Sequence, residues 1–235
     1  LPHLVPAVLV LGLAVLHTAP ARADGMVPQT SVVVIDEADG EATINVLNTD
    51  TTKALLHSVI LDVEEDPHAP TVIVTPPLAH VGAGKTQQVR LLLDATEPLK
   101  RQHLRRVTFE GIPPADTSGT ARVAISFRQN LPVIIHPRGL ERNQTPWTQL
   151  AWSLQGNTLT VSNTSPYVVR MNAKVTLLPS GTTVELPRTF VLPGDTFSAA
   201  APQGSSVSAD STVRISPATV YGYAVEHYDA TLQRR

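Results

Sequence analysis

The chain has 235 residues, of which 42% are hydrophobic, and a formal net charge of −2. This length and apolar content are enough for one large or two small domains with buried cores. The near-neutral charge and the lack of a long basic block argue against a nucleic-acid-binding protein. The chain contains no cysteine, so disulfides cannot hold it together and an apolar core must do so.

The first segment is expected to lie outside the fold. An apolar run from Leu4 to Leu16 is followed by a small-x-small site at residues 21–23, which is typical of a secretory signal peptide. The run is shorter than the roughly 20 residues that a transmembrane helix needs. We therefore expect residues 1–23 to be a signal peptide and the protein to be exported, with the bacterial periplasm as a compatible compartment.

Short β-branched runs separated by Asp, Gly and Pro make up the next part of the chain. They are SVVVID, EATINVLNT, LLHSVILDVE, TVIVTPP, TQQVRLLL, RRVTFEGIPP and ARVAISFRQNLPVIIHP. Helical periodicity is scarce. Seven short strands within about 110 residues predict an all-β, immunoglobulin-like sandwich.

A second series of similar runs predicts a second β-sandwich domain. It comprises LAWSLQ, TLTVSN, VVRMNAKVTLL, TTVELPRTFVL, TVRISP and VYGYAVEHY. Pro and Gly end the long strand before it, so we expect domains at residues 24–136 and 143–235, joined by a linker at 137–142. The segment 202–211 is expected to be too polar to bury and to be mobile.

No catalytic or metal-binding pattern emerges. None of the eight histidines forms an H-x-H or H-E-x-x-H pair, and the carboxylates of DVEEDP (residues 62–67) lack the spacing of a calcium loop, which predicts a solvated turn. The chain has neither a cysteine nucleophile nor a G-x-S-x-G elbow, and GAGK lacks the spacing of a phosphate-binding loop. We expect neither an enzyme nor a bound metal or cofactor.

The long strand changes pattern in its middle. Val123, Ile125 and Phe127 alternate with small or polar residues, whereas Val133–Ile135 is a continuous apolar run. The segment VAISFRQNLPVIIHP resembles the last strand of the first domain in periplasmic pilus chaperones of the chaperone–usher pathway. Three further segments resemble the same family in the right order: TPPLAHVGAGKTQQVRLL, LRRVTFEGIPP and GNTLTVSNTSPYVVRM.

This resemblance implies a fold and a function. The fold is two immunoglobulin-like β-sandwich domains at an angle, with a cleft between them. The function is to bind pilus subunits, each an incomplete sandwich, by lending them a strand, and to deliver them to an outer-membrane usher. The lent residues would be Val123, Ile125 and Phe127, with Val133–Ile135 in the chaperone's own core. Taken from the residues alone, the alternative is that all three lent residues face their own domain's core.

The sequence departs from the family at the positions that hold the terminal carboxylate of the subunit. Many members grip the subunit's terminal carboxylate with two basic residues, and alignment places Val32 and Pro132 there. Arg128 and Arg106 are the candidate replacements, because an Arg can bind a carboxylate through two parallel hydrogen bonds. The alternative is that both are exposed surface arginines. Pro132 also lacks a backbone donor, which predicts a bulge or an edge position.

A second departure lies at the domain junction. His136, just before Pro137, replaces a basic residue that takes part in an interdomain ion-pair network in the family. Because His is neutral for much of the time near pH 7, this network is expected to be weaker or pH-sensitive. Together the departures indicate a divergent branch of the pathway.

Two other classes of protein fit the sequence less well. A structural pilus subunit or adhesin would be expected to carry an apolar N-terminal extension and, commonly, a disulfide, whereas this chain has no cysteine. A secreted enzyme or carbohydrate-binding module would need clustered exposed aromatics, but the chain has only two Trp. Self-capping dimers through the lent strand are a further hypothesis, because an open edge needs shielding.

Overall fold

The computed structural model describes residues 25–114 and 126–234, and these are almost entirely strands and turns. Nine described strands precede residue 137: β1 (Met26–Pro28), β2 (Val33–Asp36), β3 (Glu41–Asn48), β4 (Ala54–Leu61), β5 (Thr71–Thr75), β6 (Leu78–Val81), β7 (Thr86–Asp94), β8 (His103–Ile112) and β9 (Arg128–His136). A short 3₁₀ turn and ten further strands follow within the described part: Pro146–Gln149, then β10 (Leu150–Gln155), β11 (Thr158–Asn163), β12 (Val169–Met171), β13 (Lys174–Leu178), β14 (Thr183–Glu185), β15 (Phe190–Val191), β16 (Thr196–Ala200), β17 (Thr212–Ile215), β18 (Pro217–Ala218) and β19 (Tyr228–Arg234).

The first nine strands form two facing sheets, with the orders β1-β3-β7-β5 and β2-β9-β8-β4-β6. Alternation places one face of each strand inside: in β3, Ile44 and Val46 are buried while Leu47 is exposed. Phe109 of β8 and Val133 of β9 meet these residues in one apolar core. The first half is therefore a β-sandwich.

The remaining strands form a second layered unit with its own core. A seven-stranded sheet has the order β14-β13-β17-β19-β10-β11-β16, and a small sheet has the order β15-β12-β18. Trp152, Leu159 and Val191 are among the buried residues of this core. In the described residues, no strand of the first half pairs with a strand of the second.

A separate apolar cluster lies where the two halves meet. Its buried members are Val32, Val63, Leu104 and Ile134 from the first half and Val168 and Leu192 from the second. Burying these side chains fixes the halves against each other. The described residues contain no helix long and apolar enough to cross a membrane.

The structure differs from the sequence-based expectation in three places. β1 and β6 were not predicted, because strands of three and four residues are too short to show alternation. Segment 202–211 is not wholly exposed: Val207 joins the second core, and Asp210 is buried and accepts hydrogen bonds from Ser180 N at 2.7 Å and Ser180 Oγ at 2.6 Å. The expectation that the segment was too polar to bury was wrong for Val207 and Asp210, and Asp210 can be buried because Ser180 satisfies its carboxylate.

Candidate functional site

The first two described strands, β1 and β2, follow each other in the chain but belong to different sheets, and this leaves part of β9 open. β1 pairs with β3 in the four-stranded sheet, whereas β2 pairs in parallel with β9 only from Val133 to His136. β8 pairs with β9 from Arg128 to Ile135. Among the described residues, segment 128–132 therefore has one neighbouring strand and one open edge.

Burial changes at the same point along β9. Arg128–Asn130 are exposed, and Leu131–His136 are buried. The expectation that Val133–Ile135 belong to the protein's own core is confirmed. Pro132 is the last residue before β2 joins, so it occupies the expected edge position, where its missing N–H removes no bond to β2.

A large apolar side chain precedes the open edge. Phe127 exposes 57% of its surface, so it does not pack into its own domain's core. A groove of about 370 Å³, lined by residues 27–31 and 129–131, runs beside the edge. Val123 and Ile125 lie outside the described residues.

Arg128 is engaged within its own chain. Its Nε and Nη2 donate to Glu110 Oε2 at 2.9 Å and 2.6 Å across the β8–β9 ladder. The hydrogen bond from Arg128 lowers the pKa of the Glu110 carboxyl against a small opposing effect of burial. The donors of Arg128 thus already face a carboxylate.

Arg106 lies directly opposite Pro132 in the antiparallel ladder. Side chains of directly opposed residues project from the same face of a sheet, so Arg106 lies on the face from which residue 132 projects. Its Nε donates to Asn130 Oδ1 at 2.6 Å and its Nη2 to Asn130 O at 3.0 Å. Burial lowers the pKa of Arg106, and no described carboxylate lies within ion-pair distance of it.

A cleft of about 200 Å³ separates the halves next to Arg106. It is lined by Leu104, Arg106, Pro132, Arg170, Met171, Thr189, Phe190 and Ala218. Val32, the other position where the family has a basic residue, is buried in the junction cluster instead. A cation there would lose its hydration among apolar side chains, which explains the substitution.

His136 takes part in a hydrogen-bonded chain across the junction. Its Nε2 lies 2.9 Å from Leu140 O, which can only accept, so Nε2 carries the proton and Nδ1 accepts from Gln102 Nε2 at 2.9 Å. Gln102 Oε1 accepts from Val168 N at 2.8 Å, and Gln102 N donates to Pro166 O at 2.8 Å. A chain of hydrogen bonds therefore joins the halves here.

The acidic turn at 62–67 is not wholly solvated, and for Asp66 that expectation was wrong. Asp66 is buried and accepts from Leu104 N at 3.0 Å and His103 Nδ1 at 3.1 Å. Burial raises the pKa of Asp66, but the hydrogen bonds from His103 and Leu104 together with the nearby positive charges, including that of Arg101, outweigh burial, and the net pKa is lowered. Nearby, Arg101 Nη1 donates to Pro193 O of the second half at 2.5 Å.

Sequence reasoning missed Gln102, Asp66 and Arg170. Each acts through partners remote in sequence, so no local spacing marks them. Across residues 25–114 and 126–234, no group of three His, Cys, Asp or Glu side chains is arranged to hold a metal ion.

Known protein families match nearly all of the chain after residue 24. Residues 25–141 match the model described as pili and flagellar-assembly chaperone, PapD N-terminal domain, and residues 145–229 match the pili assembly chaperone PapD, C-terminal domain. The chain is 44% identical over 211 residues to the uncharacterized fimbrial chaperone YhcA of Escherichia coli K12, covering 90% of this chain and 92% of that protein. It is 29% identical to the chaperone protein FimB/FhaD of Bordetella pertussis, over 70% of this chain and 73% of that one.

Solved structures share the fold. The complex of the Salmonella enterica SafA pilin with the SafB chaperone gives a TM-score of 0.73 at 21% identity, covering 90% of this chain and 98% of that one. The E. coli chaperone DraB gives a TM-score of 0.70 at 22% identity, covering 87% and 97%. The predicted fold of two immunoglobulin-like sandwiches is confirmed. From its two domain matches and its relatives, the chain belongs to the PapD-like family of pilus assembly chaperones.

Proposed function

We propose that this chain is a periplasmic chaperone that binds and caps pilus subunits by lending them the edge of β9, and then delivers them to an outer-membrane usher. The observation that carries the proposal is the open edge at 128–132, directly after the exposed Phe127. An unpaired edge with an outward apolar side chain invites strand addition. We propose Val123, Ile125 and Phe127 as the donor residues.

The physical chemistry of such an edge is sufficient for binding. Burying one large apolar side chain contributes about 1.5–3 kcal/mol before the cost of ordering the complex. Backbone groups along 128–132 would form the ladder that they lack in the free chain and so set the register. Folding of the subunit onto the lent strand supplies the driving force, so the mechanism needs no nucleotide, metal or other cofactor.

Of the two candidate carboxylate anchors, we favour Arg106. It lies opposite Pro132, the position at which the family carries a basic residue, and it borders the cleft. Arg128 lies at the other end of the open edge and is paired with Glu110. We propose His136 and Pro137 as the structural junction between domains at 24–136 and 143–235, with residues 1–23 as the export signal.

Co-purification tests the proposal. Wild-type chain, an Ile125→Asp, Phe127→Asp variant and a Tyr223→Asp control are expressed in a pilus-forming bacterium, and bound subunits are identified by mass spectrometry. Tyr223 is the control because it is also aromatic and is 74% exposed. We expect subunits with wild type and control but not with the variant.

Circular dichroism separates the possible failures. If the donor-strand variant is unfolded, its residues belong to this protein's own core, and the donor role is wrong. If wild type brings down no pilus subunit, the chaperone proposal is wrong. Loss of subunit from a folded variant supports it.

A further inference from the structure

Two arginines from different halves of the molecule face one cleft. Arg106 lies on β8 of the first half, and Arg170 lies on β12 of the second. Both are half-buried. In the described part of the chain, neither has a carboxylate within ion-pair distance, whereas Arg128, Arg142 and Arg214 each do.

Hydrogen bonds orient each guanidinium but use only some of its N–H donors. Asn130 accepts from two nitrogens of Arg106, and Thr219 O accepts from Arg170 Nη2 at 2.8 Å. A guanidinium has five N–H donors, so each arginine keeps donors that these bonds do not use. Apart from Thr189, the remaining lining is apolar and includes Pro132, Met171 and Phe190.

The electrostatics of the cleft favour an anion. Burial lowers the pKa of Arg170, and the charge of Arg106 lowers it further. The two cations are thus partly desolvated and repel each other, with no counterion from the described chain. A bound carboxylate would offset both the desolvation and the repulsion of the two cations. It could also accept hydrogen bonds from both guanidinium groups.

The end of the open edge suggests which carboxylate. A strand added along 128–132 cannot continue past Pro132, because β2 occupies the edge from Val133 onward. An added strand must therefore end or turn away beside the cleft. If it runs parallel to β9, a chain ending there presents its terminal carboxylate to Arg106, whereas an antiparallel strand would present a cationic amine.

We propose that Arg170 completes the carboxylate site with Arg106, so that the terminal carboxylate of a bound pilus subunit bridges the two halves of the chaperone. This inference rests on the proposed function and adds a residue of the second half to it. The bridge makes the site specific for a free chain terminus in one strand direction. It also ties the two halves together when a subunit is bound.

Two synthetic peptides test this assignment. They copy the last ten residues of a subunit recovered with wild type, one with a free C-terminal carboxylate and one amidated. Binding is measured by calorimetry for wild type, Arg106→Gln, Arg170→Gln, the double variant and Arg214→Gln. Arg214 is the control, because it is exposed, pairs with Asp229 on the seven-stranded sheet and does not line the cleft.

We expect wild type and Arg214→Gln to prefer the free carboxylate by about 10- to 100-fold, as for a charge-assisted hydrogen bond. Arg170→Gln and Arg106→Gln should each lose most of this preference and bind the amide as wild type does. The unfolding temperature of free Arg170→Gln should stay within about 2 °C of wild type or rise, because a like-charge repulsion is removed.

Other results would overturn the assignment in distinguishable ways. Full preference in Arg170→Gln, with loss in Arg106→Gln, removes Arg170 from the site. Equal binding of both peptides by wild type rejects any terminal-carboxylate site. The binding would then come from groups that both peptides share, such as acidic side chains, and strand donation would still stand. Failure of wild type to bind either peptide or any subunit rejects the proposed function itself.

Discussion

Asp66 is buried, unlike the acidic residues next to it in sequence. It lies in the acidic run DVEEDP, yet it is buried against His103 and the Leu104 amide from a strand more than 35 residues away. Arg105 donates to the carbonyls of Asp66 and Ala69, at 3.0 Å and 2.5 Å respectively. Asp66 therefore fixes the loop before β5 onto the start of β8, next to the junction of the halves.

Asp66→Asn is predicted to destabilise the protein. At pH 7 we expect the free energy of unfolding to fall by about 2–4 kcal/mol, because the amide cannot accept from His103 and Leu104 as the carboxylate does. Chemical denaturation measures this, with the exposed Glu64→Gln as control. A change of less than 0.5 kcal/mol, on the order of an ordinary surface substitution, would contradict the role of Asp66.

The pH dependence of stability follows from the lowered pKa of Asp66. A carboxyl whose pKa is lower in the folded state stabilises that state fully above its ordinary value of 3.8 and loses this contribution as pH falls through the folded pKa. Wild type should therefore lose stability below about pH 3.8 more steeply than Asp66→Asn. Denaturation curves from pH 6 to pH 2 would show parallel losses if the pKa were not lowered.

Sequence patterns reveal local pairing but not contacts between remote residues. They do not locate Asp66, Gln102 or Arg170, whose partners come from other strands or from the other half of the chain. The carboxylate of Asp66 resembles its exposed neighbours in sequence, and only the fold places it beside His103. The register of Arg106 opposite Pro132 is likewise set by the ladder and not by any local pattern.

At the scale of the element, β9 has two parts with different surroundings. Its second half is covered by β2 and packs into the apolar core and the junction cluster, whereas its first half has an open edge. The sequence predicted the buried part correctly, since a continuous apolar run such as Val133–Ile135 is typical of a strand covered on both faces. Of the alternating run, Val123 and Ile125 lie outside the described residues, so their donor role stays a prediction. Very short strands such as β1 carry no such pattern, so the sheet change that opens the edge was not foreseen.

Substitutions in the two parts of β9 should differ in their effects on stability and on subunit binding. Ile134→Ala is expected to lower the free energy of unfolding by about 2–4 kcal/mol, because Ile134 is buried in the junction cluster. Phe127→Ala should change it by less than about 0.5 kcal/mol, because Phe127 is exposed, and yet should weaken subunit binding. Denaturation of both free variants is the measurement, and equal destabilisation would show that Phe127 belongs to the core.

At the scale of the whole molecule, the halves are joined by apolar and polar contacts together. The junction cluster is flanked by the bond from Arg101 to Pro193 O and by the ion pair of Arg188 with Glu65 at 3.7 Å. This arrangement holds the cleft next to the open edge. The boundary at residues 137–142 remains a prediction, which limited proteolysis can test.

The open edge also predicts how the free protein behaves. An unshielded edge with Phe127 exposed favours pairing with a second copy, so we expect a concentration-dependent dimer that the Ile125→Asp, Phe127→Asp variant does not form. Light scattering over a range of concentrations measures this. A wild-type monomer at every concentration would count against self-capping.

Hydrogen exchange in the backbone tests the central claim of strand donation most directly. Amides of residues 128–131 that point to the open edge should exchange rapidly in the free chain and slow by about tenfold or more in a complex with a pilus subunit. Amides of β8, which is paired on both sides by β4 and β9, serve as the internal control and should stay protected in both states. Unchanged exchange at 128–131 in a verified subunit complex would contradict the account.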